Sequence, residues 1–457
     1  MASKDVTDPA RMEKIVSLCK RRGFIFQSGE LYGGLNGVWD YGPLGVELKR
    51  NLKEHWWRRT VQERDDVLGM DGAILTMEQV LTASGHVGGF SDPMVDCKTC
   101  KGRFRADNLE ASQCKEKPSV CPGQSPKCEL TEPRQFNLML QTNFGATGEQ
   151  TAYLRPETAQ SIFVQYRNVL DSSRVKLPFG IAQIGKSFRN EINPRNFTFR
   201  SREFEQMEVE YFCHPDDGLR LTDEWLEARL AFYEEIGIPR DKLHVLDVPD
   251  GERAFYSKKT YDIEYAFPFG VQELEGVAYR TDYDLGVHQK GSGKPLEYFD
   301  EETRARFLPH VVEPSAGCDR TVLALICEAF DEETVTDDKG AQEVRTVLRF
   351  KPTMAPVKVG IFPLLKKNAD QVRIARDIQK TLQAWMNVFY DDSAAVGRRY
   401  RRQDEVGTPF CITVDFDTLG ENGPELRDTV TVRHRDSMAQ ERVRIDALLP
   451  WLLERVR

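Results

Sequence analysis

A chain of 457 residues can hold two to four domains and a large core. Its composition, 40% hydrophobic and 30% charged, is that of a globular protein; no apolar run approaches the roughly 18 residues of a membrane span, so no membrane partner is expected. The formal charge of −9 excludes a uniformly basic nucleic-acid binder, but residues 356–457 carry 17 Lys and Arg against 15 Asp and Glu, a net of +2, while the rest carries 46 against 57, a net of −11. Residues 1–14 are polar with no apolar signal core, and the expected location is the cytoplasm.

In chain order, an amphipathic helix is expected over 12–23, then a glycine-rich segment over 24–45. A helix over 46–64 follows, with Leu48, Leu52 and Trp56 at helical spacing. His86, taken alone, reads as a satisfied structural histidine. Cys97 and Cys100, then Cys121 and Cys128, form two cysteine pairs that suit a small zinc knuckle over 95–130. The longer second gap leaves structural zinc and free thiols both open.

Residues 175–184 read as a buried strand, and 203–212 alternate, with Glu205, Met207, Val209 and Tyr211 on one face and Phe204, Gln206, Glu208 and Glu210 on the other. Between them, Arg189, Arg195, Arg200 and Arg202 stand among the turn formers Asn190, Asn193, Pro194 and Asn196. Arginines beside carboxylates suit a polyphosphate with a metal or an amine. A helix over 221–237 ends at Gly237. Glu273 and Glu275, two apart in the strand-like run 271–278, are expected on one face. Residues 310–330 read as strand, glycine turn and apolar helix, with Arg320 placed against the helix dipole. Residues 331–344 are an acidic hairpin or linker, and strands alternating with helices from 355 imply a small α/β domain. The run Arg398–Arg402, interleaved by Tyr400, suits RNA contact.

The segments 39–45, 188–210 and 310–320 resemble motifs 1, 2 and 3 of the class II aminoacyl-tRNA synthetases, and specifically of the homodimeric type of glycyl-tRNA synthetase. Residues 84–86, 90–94 and 154–163 extend the likeness, although that family usually has glycine where Ser161 stands and a smaller residue at Cys318. The resemblance implies an α+β class II synthetase catalytic domain, an antiparallel sheet flanked by helices, over 1–350 with the insert at 95–130. It also implies an anticodon-binding domain over 355–457. The implied reaction makes glycyl-adenylate from glycine and ATP, with Mg²⁺, and passes glycine to tRNA(Gly). The implied assembly is a homodimer with motif 1 at the seam.

By the same resemblance, Arg189, Arg320 and Glu273 are catalytic. ATP contacts fall on Arg189, Asn190, Glu191, Phe199, Arg200 and Ser201, and further on Arg202, Glu203 and Phe204. Others fall on Glu273, Leu274, Gly317, Cys318, Asp319 and Arg320. Glycine contacts fall on Arg105, Glu157, Phe204, Glu205, Gln206, Met207 and Glu208, and on Glu275, Glu313, Pro314, Ser315, Ala316 and Gly317. A non-catalytic nucleic-acid-binding relative of the same fold is the alternative. Such a relative would lack residues equivalent to Arg189, Glu191 and Arg320.

Overall fold

The computed structural model describes residues 7–99, 101–109, 129–336, 340 and 342–456. Its largest sheet has seven strands: β1 (Val67–Gly69), β2 (Phe179–Phe188), β3 (Glu203–Cys213), β4 (Leu243–Asp247), β5 (Lys259–Phe267), β6 (Gly270–Thr281) and β7 (His310–Gly317). Their spatial order is β4-β5-β6-β7-β3-β2-β1, antiparallel at every pairing except that of β2 with β1. The polar turn expected between two strands is the β2–β3 connection, closed by the pair Phe188 and Glu203.

One face of the sheet is covered by four helices: α1 (Pro9–Arg22), α2 (Pro43–Trp57), α4 (Gly218–Ile236) and α5 (Cys318–Ala329). The other face is partly covered by α3 (Ala159–Ser173). Strand alternation assigns the residues: Met207, Val209 and Tyr211 of β3 enter the helical core, while Phe212 packs on Phe163 and Tyr166 of α3. The Asp8 carboxylate caps α1 by accepting from the Arg11 N–H, and Gly23 ends the helix in the left-handed conformation. Gly45 in the first turn of α2 has no room for a side chain, because a Cβ would lie 1.9 Å from the Phe24 carbonyl oxygen. The Leu48, Leu52 and Trp56 stripe is buried in the chain's own core. It therefore does not form an intersubunit seam.

A second sheet runs Val388–Tyr390, Val359–Pro363, Phe410–Val414, Thr429–His434, Gln440–Arg444, with its own core around Ile361, Ile412, Val432 and Leu452. The acidic segment is a hairpin, Phe330–Thr336 with Gln342–Leu348, and it is tied to this C-terminal lobe. Arg345, on the hairpin, is fully buried and donates to Asp404 at 2.8 Å and to the Arg435 carbonyl at 2.5 Å. Arg433 donates to the same Asp404 at 2.9 Å.

Of the run 398–402, where RNA contact is expected, Arg399 is withdrawn from the surface. Arg399 is 2% exposed and holds the carbonyls of Pro363 and Ala394. The Tyr400 hydroxyl meets Thr413, Arg401 pairs with Glu343, and Arg402 pairs with Asp391. Arg399 is consumed by folding onto backbone acceptors, whereas Arg401 and Arg402 stay one-third exposed in their ion pairs. Among the described residues, no helix is long and apolar enough to cross a membrane.

Candidate active site

The α3 face of the sheet opens into a cleft of about 290 Å³ built from β3, β6, β7, the β2–β3 turn and the residues before α3. A larger cavity, about 750 Å³, lies between α2 and the C-terminal lobe and contains none of the predicted chemistry.

One end of the cleft is cationic and aromatic. Arg189 stands over the Phe204 ring at 5.5 Å and donates to the Pro156 carbonyl at 3.1 Å. Arg320 stands over Phe199 at 4.5 Å and reaches Glu273 at 3.3 Å. Phe199 is held edge-on by Phe267 and Phe269, each at 5.3 Å. Arg200 lies 3.4 Å from Glu191. Two separated guanidiniums with an aromatic ring between them can receive a nucleoside polyphosphate.

Carboxylates cluster beside the same end. The Asp262 carboxyl on β5 is pushed up to about 7 by burial and then by the charges of Glu273 and Glu264, against the pull of Arg320. A cation shared by Asp262 and Glu273 would relieve that repulsion, so the donor set fits Mg²⁺.

The other end is acidic. The Ser315 hydroxyl donates to Glu208 at 2.8 Å, and the Thr158 hydroxyl donates to the other oxygen of Glu208. Arg280 donates to Glu313 at 2.7 Å and makes a two-pronged contact with Asp284 at 2.8 and 2.9 Å. Glu157 lies 3.5 Å from His86 and accepts from Gln160 at 3.0 Å. Burial alone would raise the Glu157 carboxyl, but His86, Arg280 and the Gln160 amide outweigh it and hold it well below the usual range. Burial lowers the His86 imidazole, yet Glu157 more than offsets that and leaves it raised. Glu208 and Glu313 are both pushed up, first by burial; the neighbouring carboxylates add to the rise of Glu208, while Arg280 restrains that of Glu313.

Asp319 joins the three predicted motifs at this site. Its carboxylate accepts from the Tyr41 hydroxyl at 2.5 Å, from Lys49 at 2.7 Å and from the Glu205 N–H at 2.6 Å. Asp319 lines the cleft, as expected of an ATP contact, and its carboxylate also holds α2, β3 and the start of α5 together, which sets where Arg320 points.

Other expected contacts fall elsewhere. Glu205 borders the cleft, but its carboxylate leaves the far face of β3 to Lys49 at 2.7 Å and Lys53 at 2.6 Å. Met207, Leu274, Ala316 and Cys318 lie in the helical core, and Pro314 alternates to that side between Glu313 and Ser315. Arg105 is held by Asp92 at 2.9 Å and Asp107 at 2.7 Å and does not line the cleft. Arg202 donates to the carbonyls of Asn36 and Glu191, Glu203 pairs with Lys186, and the Asn190 N–H donates to the Leu138 carbonyl. The cleft retains Glu157, Phe204, Gln206, Glu208, Glu313, Ser315 and Gly317 from the expected glycine set.

The pairing of Glu273 with Glu275 is overturned by a β-bulge. Register shifts between Ile263 and Glu264, so Glu275 opposes Ile263 while Glu273 opposes Glu264. Glu273 therefore faces the cleft with Gly276 and Ala278, whereas Glu275 is 1% exposed and accepts from Arg229 of α4 at 2.6 Å. Glu275→Ala is expected to destabilise the protein by roughly 3–5 kcal/mol, the cost of leaving one buried charge unpaired. Denaturant titration checks this, and the folded fraction should keep an unchanged KM for the amino acid. Sequence reasoning missed Arg280, Asp284 and Tyr256. The bulge hides the signal for Arg280, since it shifts which parity of β6 faces the cleft.

Of the zinc candidates, Cys97 is buried beside the strand Ser91–Asp96, while Cys100, Cys121 and Cys128 lie outside the described residues.

Comparison with known proteins fits this geometry. Residues 143–330 match the tRNA synthetase class II core domain (G, H, P, S and T), and residues 358–455 match an anticodon binding domain. The glycine–tRNA ligase of Thermobifida fusca is 51% identical over 97% of this chain and 98% of its own length. That of Treponema denticola is 51% identical over 94% of each chain, and that of Cutibacterium acnes 47% identical over 98% of this chain and 97% of its own. With near-complete coverage at such identity, and with three motif segments meeting at Asp319 beside one cleft, the chain belongs to the glycine–tRNA ligase family.

Proposed function

We propose that the two ends of the cleft hold the two small substrates, glycine at the acidic end and ATP at the cationic end. The chain is an aminoacyl-tRNA ligase: it activates glycine with ATP and charges tRNA, whose anticodon the C-terminal domain binds. The observation that carries the residue roles is the polarity of the cleft, with Glu157, Glu208 and Glu313 at one end and Arg189 and Arg320 at the other.

In the first step an oxygen of the glycine carboxylate bonds to the α-phosphorus of ATP, and the bond to the β-phosphate oxygen breaks, releasing pyrophosphate. Arg189 neutralises charge on the α-phosphoryl group, and Arg320 holds the far end of the triphosphate. Glu273 and Asp262 would hold Mg²⁺, which would supply further neutralisation of the phosphates. Glu157, Glu208 and Glu313 take the ammonium, and Ser315 orients Glu208. In the second step a ribose hydroxyl of the terminal adenosine of tRNA(Gly) attacks the adenylate carbonyl, and AMP leaves. No protein nucleophile is needed, so catalysis is positioning and electrostatics. Selectivity is simple because no amino acid is smaller than glycine.

The test is ATP–pyrophosphate exchange screened across amino acids. Exchange with glycine alone is expected; equal exchange with alanine or serine, or none with glycine, would sink the assignment. The non-catalytic reading is disfavoured because Arg189, Glu191, Glu273 and Arg320 all meet at one cleft.

A homodimer belongs to the same proposal. Leu31, Tyr32 and Leu35, in the glycine-rich segment before α2, are 88%, 92% and 58% exposed, an apolar edge that a second copy could cover. Light scattering would show a dimer; a monomer at working concentration removes this part. Cytoplasmic protein synthesis is the setting this activity implies.

A further inference from the structure

The carboxylate of Glu210 on β3 is fully buried, and neither of its oxygens has a hydrogen-bond partner among the described residues. It does not line the cleft; it lies beneath it. One oxygen from each of Glu208, Glu210 and Glu313 lies within 4.8 Å of the other two.

The surrounding charges come from every element packed here. β3 supplies Glu208, β7 supplies Glu313, and β6 supplies Arg280, which is capped by the Tyr256 ring at 4.3 Å. The helix after β6 supplies Asp284, and the residues before α3 supply Glu157 with its partner His86. β2 presents only the neutral Gln183, opposite Glu208. Five carboxylates thus face one guanidinium and two imidazoles, His86 and the buried His288, which reaches Gln160 at 2.8 Å beside Asp284. Arg280 is already engaged by Glu313 and Asp284. An ionised, donor-free carboxylate in this place is strongly disfavoured, whereas a protonated one gains an O–H that a neighbouring carboxylate can accept. Burial, then the Glu313 charge, push Glu210 well above the usual range, with Arg280 opposing and Glu208 and Asp284 adding to the rise.

We propose that the Glu208–Glu210–Glu313 cluster holds a proton on Glu210 when the cleft is empty, and that arrival of the glycine ammonium on Glu208 and Glu313 expels it. Amino-acid binding is then proton-coupled: one positive charge enters the acidic end, and one proton leaves through the neighbouring carboxylates to solvent. No covalent bond changes beyond the O–H of Glu210. This rests on the assignment of the acidic end to glycine. Glu210 is a positioning residue, because it acts on the substrate only through Glu208 and Glu313.

The experiment measures glycine binding by calorimetry in buffers of different ionisation enthalpy, together with the profile of kcat/KM for glycine from about pH 6 to about pH 8. The wild-type protein should release up to about one proton per glycine, because that group titrates only once. Glu210→Gln, a fixed neutral isostere, should release none. It should raise the glycine KM on the order of tenfold, equivalent to about 1.4 kcal/mol, with kcat and the ATP KM little changed. Glu210→Asp should restore the coupling. A wild-type protein that exchanges pyrophosphate with glycine but releases no proton overturns this inference alone, and needs no variant to fold. Proton release in Glu210→Gln equal to wild type overturns the assignment to Glu210. Absence of glycine-dependent exchange in the wild type overturns the underlying reading as well.

Discussion

Replacing Arg320 with alanine is expected to lower glycine-dependent ATP–pyrophosphate exchange by at least about 10²–10³-fold, the usual effect of deleting one donor aimed at developing charge. The residue occupies the first turn of α5, where a cation opposes the helix dipole and gains nothing from it. Its side chain is 28% exposed, packs over Phe199 and makes one ion pair, with Glu273. A partly exposed pair of this kind contributes little to stability, so the variant should fold normally. Arg320→Lys keeps the charge but loses the planar fork, and should recover only part of the rate. Exchange rates measured beside a thermal melt decide the matter. Near-wild-type exchange in a folded Arg320→Ala protein would show that the far end of the triphosphate is held elsewhere.

The largest stability effect is expected at the junction of the two lobes. Asp404 is 1% exposed and accepts from both Arg345 and Arg433. Asp404→Ala removes the carboxylate shared by two buried guanidiniums, leaving Arg433 without one and Arg345 with Glu333 alone, a loss of roughly 3–5 kcal/mol. Replacing Arg345, Arg433 and Asp404 together with apolar residues should be much milder than the single change, because none of the three buried charges is then left without its partner. Denaturant midpoints of the two proteins check this, and equal midpoints would sink it.

The pH dependence has a definite sign. Burial raises the Asp404 carboxyl, but the hydrogen bonds and charges of Arg345 and Arg433 outweigh it, so its folded value lies below the usual one. Its contribution is therefore complete above about pH 4, the unfolded value, and is lost as the pH falls below that. The same contact bears on dissection of the chain. A cut before Pro356 takes Asp404 and the Arg435 carbonyl from Arg345 and leaves it Glu333 alone, so activation without the C-terminal lobe should be better retained in a fragment that also neutralises Arg345. Pyrophosphate exchange by fragments with and without Arg345→Met would show this.

The residue types at the site were legible in the sequence because they cluster along the chain. The arginines and phenylalanines of 188–204, the strand–turn–helix of 310–330 and Glu157 before a helix are local patterns, and strand alternation alone separates Glu208 from Met207. What the sequence could not decide is where each carboxylate ends. The bulge in β6 sends Glu275 to Arg229 and brings Arg280 into the cleft, since one extra residue reverses the facing of everything beyond it. Asp319 and Glu205 read only as substrate contacts until α2 supplies Tyr41, Lys49 and Lys53 as partners. The arginines of 399–402 read as a wholly free RNA face until Arg399 is packed onto the Pro363 carbonyl and Arg401 and Arg402 pair with Glu343 and Asp391. In each case the partner lies from about ten to nearly 300 residues away along the chain. A charged side chain's role depends on whether folding has already paired it, and that pairing is a property of the tertiary structure alone.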